Sequence, residues 1–237
     1  MDWKFTNPKV FDPHTLNRLT DWEKVYRGDF VSVYETDQYM LKVVHKKHIN
    51  QFWSEVRYGQ IPGIEKSGVR VHAYTIMSNG KGAYIMDHAS MGNPKVDITM
   101  TVEAYAKQSY FNATRFNKLF KKTLVTFYRT VRGFHGDLHD NNVLVNLDMN
   151  RKLVNIKIID YANVTPFTRS QRLPTTYDAL LKKAHRDFQQ LTYTDLDEYP
   201  EGSGIRVKWQ KDIPVRSNKN MLKRLPRWKA ILASDGY

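Results

Sequence analysis

The chain has 237 residues, 41% of them apolar and 13% aromatic, enough to bury the core of one large or two-lobed domain. It has no cysteine, which excludes disulfide frameworks and thiolate metal sites and leaves only oxygen and imidazole ligands for any metal. A net charge of +13 attracts phosphate-bearing or acidic partners without choosing among nucleotides, nucleic acid and acidic proteins.

No run approaches the ~20 consecutive apolar residues that span a bilayer. The start, MDWKFTNPKV, has no apolar signal-peptide core. A soluble, cytoplasmic or otherwise intracellular protein with no membrane partner is expected. Basic residues are dense at 42–48, 118–122 and 219–229, and each run is read as a solvated face before it is read as a nucleic-acid site.

Residues 1–23 are mixed in character and are set aside as an N-terminal extension, with a short helix predicted from Pro13 to Leu19. From Lys24, KVYRGDFVSVYET alternates apolar and polar positions, and QYMLKVV follows a turn at Thr36–Asp37, so antiparallel strands are predicted. HINQFWSEVRYG then places Ile49, Phe52, Trp53 and Val56 on one helical face, with Glu55 beside it. VRVHAYTIM and GAYIMDHA read as a hairpin around SNGKG. Residues 24–88 are thus expected to form a five-stranded antiparallel sheet with one inserted helix.

The pattern is helical from Val102 to Arg132, with Phe116, Leu119, Phe120, Leu124, Phe127 and Val131 as its stripe and Gly133 as its stop. Two short strands, NVLVNL and KLVNIKIID, flank the turn DMNRK. TTYDALLKKAHRDFQQL carries Tyr177, Leu180, Leu181, Ala184, Phe188 and Leu191 in helical register. A further helix is read at 220–233, interrupted by Pro226.

HGDLHDNNVLV, residues 135–145, admits two chemistries. In an extended chain His135, Asp137 and His139 share a face and could converge on one zinc ion, as in a metal hydrolase. Alternatively, Asp137 and Asn142 form the D-L-x-x-x-N pattern of phosphoryl-transfer loops, where the aspartate accepts a hydroxyl proton and the asparagine holds magnesium. The strand IKIID delivers Asp160 where that second chemistry needs another magnesium-binding carboxylate. Lys42, in YMLKVV, and Glu55, on the next helix, supply a phosphate-contacting cation and its orienting partner in the required order. RGDFVSVY keeps Gly28, Phe30 and Val33 of a phosphate-covering glycine loop, with Tyr26 and Val31 where other glycines would stand.

On these residues the sequence resembles the protein-kinase-like superfamily from about Val25 to Leu191, and its HGDLHxxN wording looks like the compact RIO-type kinases and the aminoglycoside and choline phosphotransferases. The resemblance implies an α+β, bilobal protein-kinase-like fold, with the N-lobe at 24–88 and a reduced, mainly helical C-lobe with a basic tail at 89–237. It implies ATP and Mg²⁺, or Mn²⁺, as cofactors. Asp137 would be the catalytic base, Asn142 and Asp160 the metal ligands, Lys42 the phosphate contact and Glu55 its partner. Gly28, Phe30 and Val33 would cover the nucleotide, Met86 would be the gatekeeper, and backbone groups of Asp87 and Ala89 would meet adenine. His135 would be structural, His139 would sit where many protein kinases carry lysine, and Asp187 would brace the catalytic loop.

Several positions depart from that pattern. Asp160-Tyr161-Ala162 stands where the superfamily has DFG, Gly136 replaces the arginine that grips a phosphorylated loop, and no APE motif follows. Gly59, one turn beyond Glu55, predicts thin packing of that helix, and after Asp160 only about a third of the chain remains. Three functions stay open: a serine/threonine protein kinase with an acidic protein substrate, a small-molecule kinase, and a pseudokinase or nucleotide-responsive binding module. The divergent, compact pattern leaves a viral origin open, and with it a setting in the host cell or the virion. Oligomeric state is not encoded in the residues.

Overall fold

The computed structural model describes residues 2–90 and 95–170, together with residues 175, 176, 178, 179, 181 and 182. Asp187, most of the helix expected around it and the helix expected at 220–233 lie outside the described residues.

The alternating segments after Glu23 pair as read. β1 (Lys4–Phe5), β2 (Glu23–Arg27), β3 (Val31–Glu35), β4 (Tyr39–Val44), β5 (Val71–Ile76) and β6 (Gly82–Asp87) form one antiparallel sheet in the order β1-β5-β6-β4-β3-β2. The five expected strands are present, and a sixth, β1, joins the edge by pairing Lys4 with Tyr74 and Phe5 with Ala73. The hairpin between β5 and β6 turns at Gly80, whose φ of 81° suits glycine.

YMLKVV reads as a near-continuous apolar run because β4 is covered on both faces. α2 (Ile49–Gly59) packs on one face, where Val33, Met40, Phe52, Val56, Tyr84 and Met86 are buried together. On the other face, Phe11, Leu16 and Trp22 close over Leu41, Val43, Ala83 and Ile85. Leu16 comes from α1 (Pro13–Arg18), which starts at Pro13 and is capped by Asp12, whose side chain accepts the Thr15 N–H at 2.7 Å. The N-terminal residues are therefore part of the sheet's packing.

Two details of α2 differ from the helical-wheel reading. Glu55 is buried and Trp53 is 45% exposed, because the helix turns Phe52, Glu55, Val56 and Gly59 toward the sheet and Glu55 has a cation there to meet. Nor is Gly59 a site of thin packing. A Cβ placed on it would lie 2.4 Å from Val71 Cγ2, so the missing side chain is what lets the helix end approach β5.

Residues 95–170 hold two helices and five short strands: β7 (Ile98–Thr101), α3 (Val102–Ala106), α4 (Ala113–Val131), β8 (Gly133–His135), β9 (Val143–Leu147), β10 (Leu153–Ile158) and β11 (Val164–Pro166). β10, β9 and β7 form one sheet, and β11 pairs with β8. The helix expected from 102 to 132 is broken in two, because the Asn112 side chain accepts the Arg115 N–H at 2.9 Å and starts α4 afresh. α4 ends not on Gly133 but on Arg132, in the left-handed conformation at φ 52°. Gly133 opens β8 instead, where a Cβ would meet the Thr165 carbonyl oxygen at 2.5 Å.

The stripe of α4 is as expected: Phe116, Phe120, Leu124, Phe127 and Val131 are buried, each such side chain contributing about 1.5–3 kcal/mol of transfer free energy. They join the same cluster that lies beneath the large sheet. A parallel bridge from Gly68 to Ile158 ties the segment before β5 to β10. Among the described residues, no helix is long and apolar enough to cross a membrane.

Candidate active site

A cavity of about 770 Å³ opens between the α2-covered face of the large sheet and the segments around residues 137–144 and 159–163. Strand pleating decides what enters it. Lys42 pairs with Val33 across β3 and β4, and residues two apart on each strand face the same way, so Val33, Met40 and Lys42 all line it.

Lys42 Nζ lies 2.7 Å from Glu55 Oε1, with side chains 12% and 7% exposed, and 5.8 Å above the centre of the Tyr84 ring. Burial draws the Lys42 pKa down, but the carboxylates of Glu55 and Asp160 outweigh it and hold the ammonium above its usual range. Lys42 in turn holds the Asp160 carboxyl below the usual range, while burial pushes Glu55 up. A buried ammonium thus faces two acidic groups, and one of them, Asp160, favours its charged form.

The segment from His135 to Asn142 is shaped by its own backbone. The Gly136 N–H donates to the Asn163 carbonyl at 3.0 Å, extending the β8–β11 pairing, and a Cβ on Gly136 would meet that oxygen at 2.5 Å. An arginine does not fit this backbone approach. A short 3₁₀ turn, Asp140–Asn142, follows, with the His139 side chain accepting the Asn141 N–H. Asn142 Nδ2 donates to the Asp137 carbonyl at 2.9 Å, which leaves the amide oxygen as the metal-competent atom of that side chain. Ile159 N–H donates to the Asn142 carbonyl at 3.0 Å and His135 Nε2–H to the Ile159 carbonyl at 2.7 Å, so two hydrogen bonds fasten the Asp160 strand end to the loop.

Asp160 itself has φ 63° and ψ 75°, a left-handed conformation that aspartate tolerates better than most residues. Behind it, Tyr161 is buried. Its hydroxyl accepts the Val69 N–H at 2.6 Å and donates to the Val69 carbonyl at 3.0 Å, while its own carbonyl accepts from Ser54 on α2 at 3.0 Å. Burial raises the Tyr161 pKa well above the phenol range, so it stays a neutral donor.

The zinc reading of this loop fails on geometry. His135 is buried with Nε2 committed to Ile159, whereas the Asp137 side chain is 51% exposed. No three metal-ligating side chains converge among the described residues. His139 instead faces the acidic loop: its Nε2 is 4.0 Å from Asp137 Oδ2, and Asp140 first, then Asp137, raises its pKa. Asn163 Nδ2 also reaches Asp137 Oδ2 at 3.4 Å.

The cavity brings together Phe30, Val33, Lys42, Glu55, Met86, Ala89, Asp137, Asn142 and Asp160 from the expected set. It does not bring Gly28 or Asp87. Tyr26 folds over Gly28, its hydroxyl lying 2.4 Å from where a Cβ would be, and lines the cavity in its place. The Asp87 carboxylate points to His72 Nε2 at 2.6 Å, and its N–H goes to the Arg70 carbonyl. Phe30 stands 57% exposed at the β2–β3 turn, edge-on to His48 at 4.4 Å. Met40, Glu35, His88 and Asn163 line the cavity and were not expected. The period-2 pleat around Val33 and Lys42 was a signal for the first two.

The oxygen donors of Asn142 and Asp160 suit a hard divalent cation such as magnesium, and Lys42 suits a phosphate. No protein-family model matches the sequence, and no curated protein matches it. Among solved structures, the kinase PK-1 of Cydia pomonella granulovirus aligns with a TM-score of 0.41 and 16% identity, over 61% of this chain and 53% of the viral protein. The chain therefore spans about half the length of that neighbour.

Proposed function

We propose that this protein is an ATP- and magnesium-dependent phosphotransferase of protein-kinase-like, bilobal architecture, acting on a serine or threonine hydroxyl of a protein. The observation that carries the reading is the buried Lys42–Glu55 pair at 2.7 Å, beside Asp160 and in one cavity with Asp137 and Asn142.

In this reading the apolar walls, including Val33, Met86 and Leu144, hold the base, and Lys42 holds the nucleotide phosphates, oriented by Glu55. Asn142 and Asp160 would hold magnesium, which when bound would supply charge neutralisation for the transferring group. Asp137 accepts the proton of the acceptor hydroxyl as its oxygen bonds to the γ-phosphorus and the bond to ADP breaks. Its half-exposed position suits a macromolecular hydroxyl arriving from solvent. The net charge of +13 favours an acidic protein over the cationic small molecules taken by antibiotic-type kinases.

A second reading, a nucleotide-responsive module without transfer, is favoured by Tyr26, which packs over Gly28 where a phosphate-covering loop keeps bare backbone. Purified protein incubated with γ-labelled ATP, Mg²⁺ or Mn²⁺, and generic protein acceptors tests both. Transfer that falls about 10²–10⁴-fold in Asp137→Ala supports catalysis. Wild-type transfer or hydrolysis no greater than in Asp137→Ala and Lys42→Ala refutes it. Labelling of aminoglycosides or choline, with none on protein, moves the substrate to small molecules.

A further inference from the structure

Asn163 lines the cavity, and neither nucleotide nor metal binding has yet given it a part. It closes the 3₁₀ turn Tyr161–Asn163 that follows Asp160, one residue ahead of β11. In the β8–β11 ladder Val164 pairs with His135, so the next step of the antiparallel register sets Asn163 opposite Gly136. The Gly136 N–H donates to the Asn163 carbonyl at 3.0 Å, and a Cβ on Gly136 would lie 2.5 Å from that oxygen. The bare backbone of Gly136 therefore lets Asn163 come up against the loop that carries Asp137.

The side-chain contact across that junction has a defined sense. A carboxylate only accepts, so the Asn163 amide turns Nδ2 toward Asp137, 3.4 Å from Oδ2. Among the described residues this is the one hydrogen bond that the Asp137 carboxylate accepts. His139 Nε2, 4.0 Å from the same oxygen, is beyond hydrogen-bond range, and Asn142 holds the Asp137 backbone carbonyl rather than its carboxylate. Both neighbours of the carboxylate lie on Oδ2, and with the side chain 51% exposed, Oδ1 is left to solvent and to an incoming acceptor.

We propose that Asn163 is the positioning residue of the catalytic base: by donating to Asp137 Oδ2 it fixes the plane of the carboxylate and presents Oδ1 to the acceptor hydroxyl. Oδ1 then takes the hydroxyl proton as the acceptor oxygen bonds to the γ-phosphorus and the bond to ADP breaks. At 3.4 Å the bond is long, as catalytic hydrogen bonds often are before a substrate covers them and excludes water. Both groups meet water in the free protein, so the bond adds little to folding and its effect falls on the rate. The inference rests on the phosphotransferase reading above and adds the residue that aims its base.

The test is steady-state transfer from γ-labelled ATP with Mg²⁺ to a protein acceptor, measured on the full chain for wild type, Asn163→Ala and Asn163→Asp. The aspartate variant keeps the shape of asparagine and turns an oxygen toward Asp137. The kcat should fall about tenfold or more in Asn163→Ala and further in Asn163→Asp, while KM for ATP and the melting temperature stay near wild type. Placed on top of Asp137→Ala, Asn163→Ala should cost no more than about twofold, because it acts through that carboxylate. A kcat within about twofold of wild type in both single variants overturns the inference and leaves transfer standing. A melting temperature that falls together with kcat, or an equal loss with and without Asp137, gives Asn163 a structural role and overturns it too. Wild type that transfers to no acceptor overturns both readings.

Discussion

Tyr161→Phe isolates one hydroxyl that ties three parts of the cavity floor together. In the native chain that hydroxyl accepts the buried Val69 N–H at 2.6 Å and donates to the Val69 carbonyl at 3.0 Å, while the Ile158 carbonyl lies at 3.2 Å. Phenylalanine keeps the ring's contact with Phe127, whose centroid is 5.6 Å away, so hydrophobic packing is nearly unchanged. What is lost is the partner of a buried backbone donor, a cost of about 1–3 kcal/mol. Taking about 2 kcal/mol, and about 2–4 °C per kcal/mol for a domain of 150–250 residues, the melting temperature should fall about 4–8 °C. Scanning calorimetry of both proteins, with and without ATP and Mg²⁺, measures it. Because Asp160 is the next residue, the nucleotide-induced upward shift should also shrink. A Tyr161→Phe protein melting within about 1 °C of wild type would show that Val69 finds water or another partner, and that the hydroxyl does not fix this segment.

Lys42→Met should abolish phosphoryl transfer and also lower unliganded stability, because it leaves Glu55 buried without its partner; Lys42→Met with Glu55→Leu should recover much of the stability and none of the transfer, read by melting and labelled ATP. Gly59→Leu should destabilise by about 1–3 kcal/mol in urea titration, since its Cβ would lie 2.4 Å from Val71; an unchanged midpoint would restore the picture of a loosely packed helix. His88 has a folded pKa below the unfolded value of about 6.5, so the unfolded chain binds more protons as pH falls through 6.5 toward the folded pKa. Stability should therefore drop over that window, and His88→Gln should flatten the drop in urea midpoints measured between pH 8 and 5.5. Gly136→Arg should misfold or lose several degrees of melting temperature, because its Cβ meets the Asn163 oxygen at 2.5 Å.

The short-range content of the fold was written plainly in the chain. Alternation around Val33 and Lys42 marked the strands, SNGKG marked the hairpin, and the phenylalanines of α4 marked its buried stripe. The reading of 102–132 as one continuous helix missed Asn112 as a cap because the apolar period runs on across it. Helix-wheel geometry put Trp53 inside and Glu55 beside the stripe. The true rotation is set by Lys42, thirteen residues earlier on β4, whose charge has no other carboxylate as close on that helix.

The sequence by itself determined the order and identity of the chemical groups: a strand lysine, a helix glutamate, an aspartate and asparagine in one loop, and an aspartate ending a hairpin. Only the tertiary structure decided which faces they share, because the bonds that bring them together span long separations. Ser54 meets Tyr161 across 107 residues and Tyr161 meets Val69 across 92. The same is true of residues 2–22 sealing the outer face of the sheet and of Glu35 beside His88. Local periodicity fixes which side of an element is apolar; what that side touches is fixed by packing among distant segments.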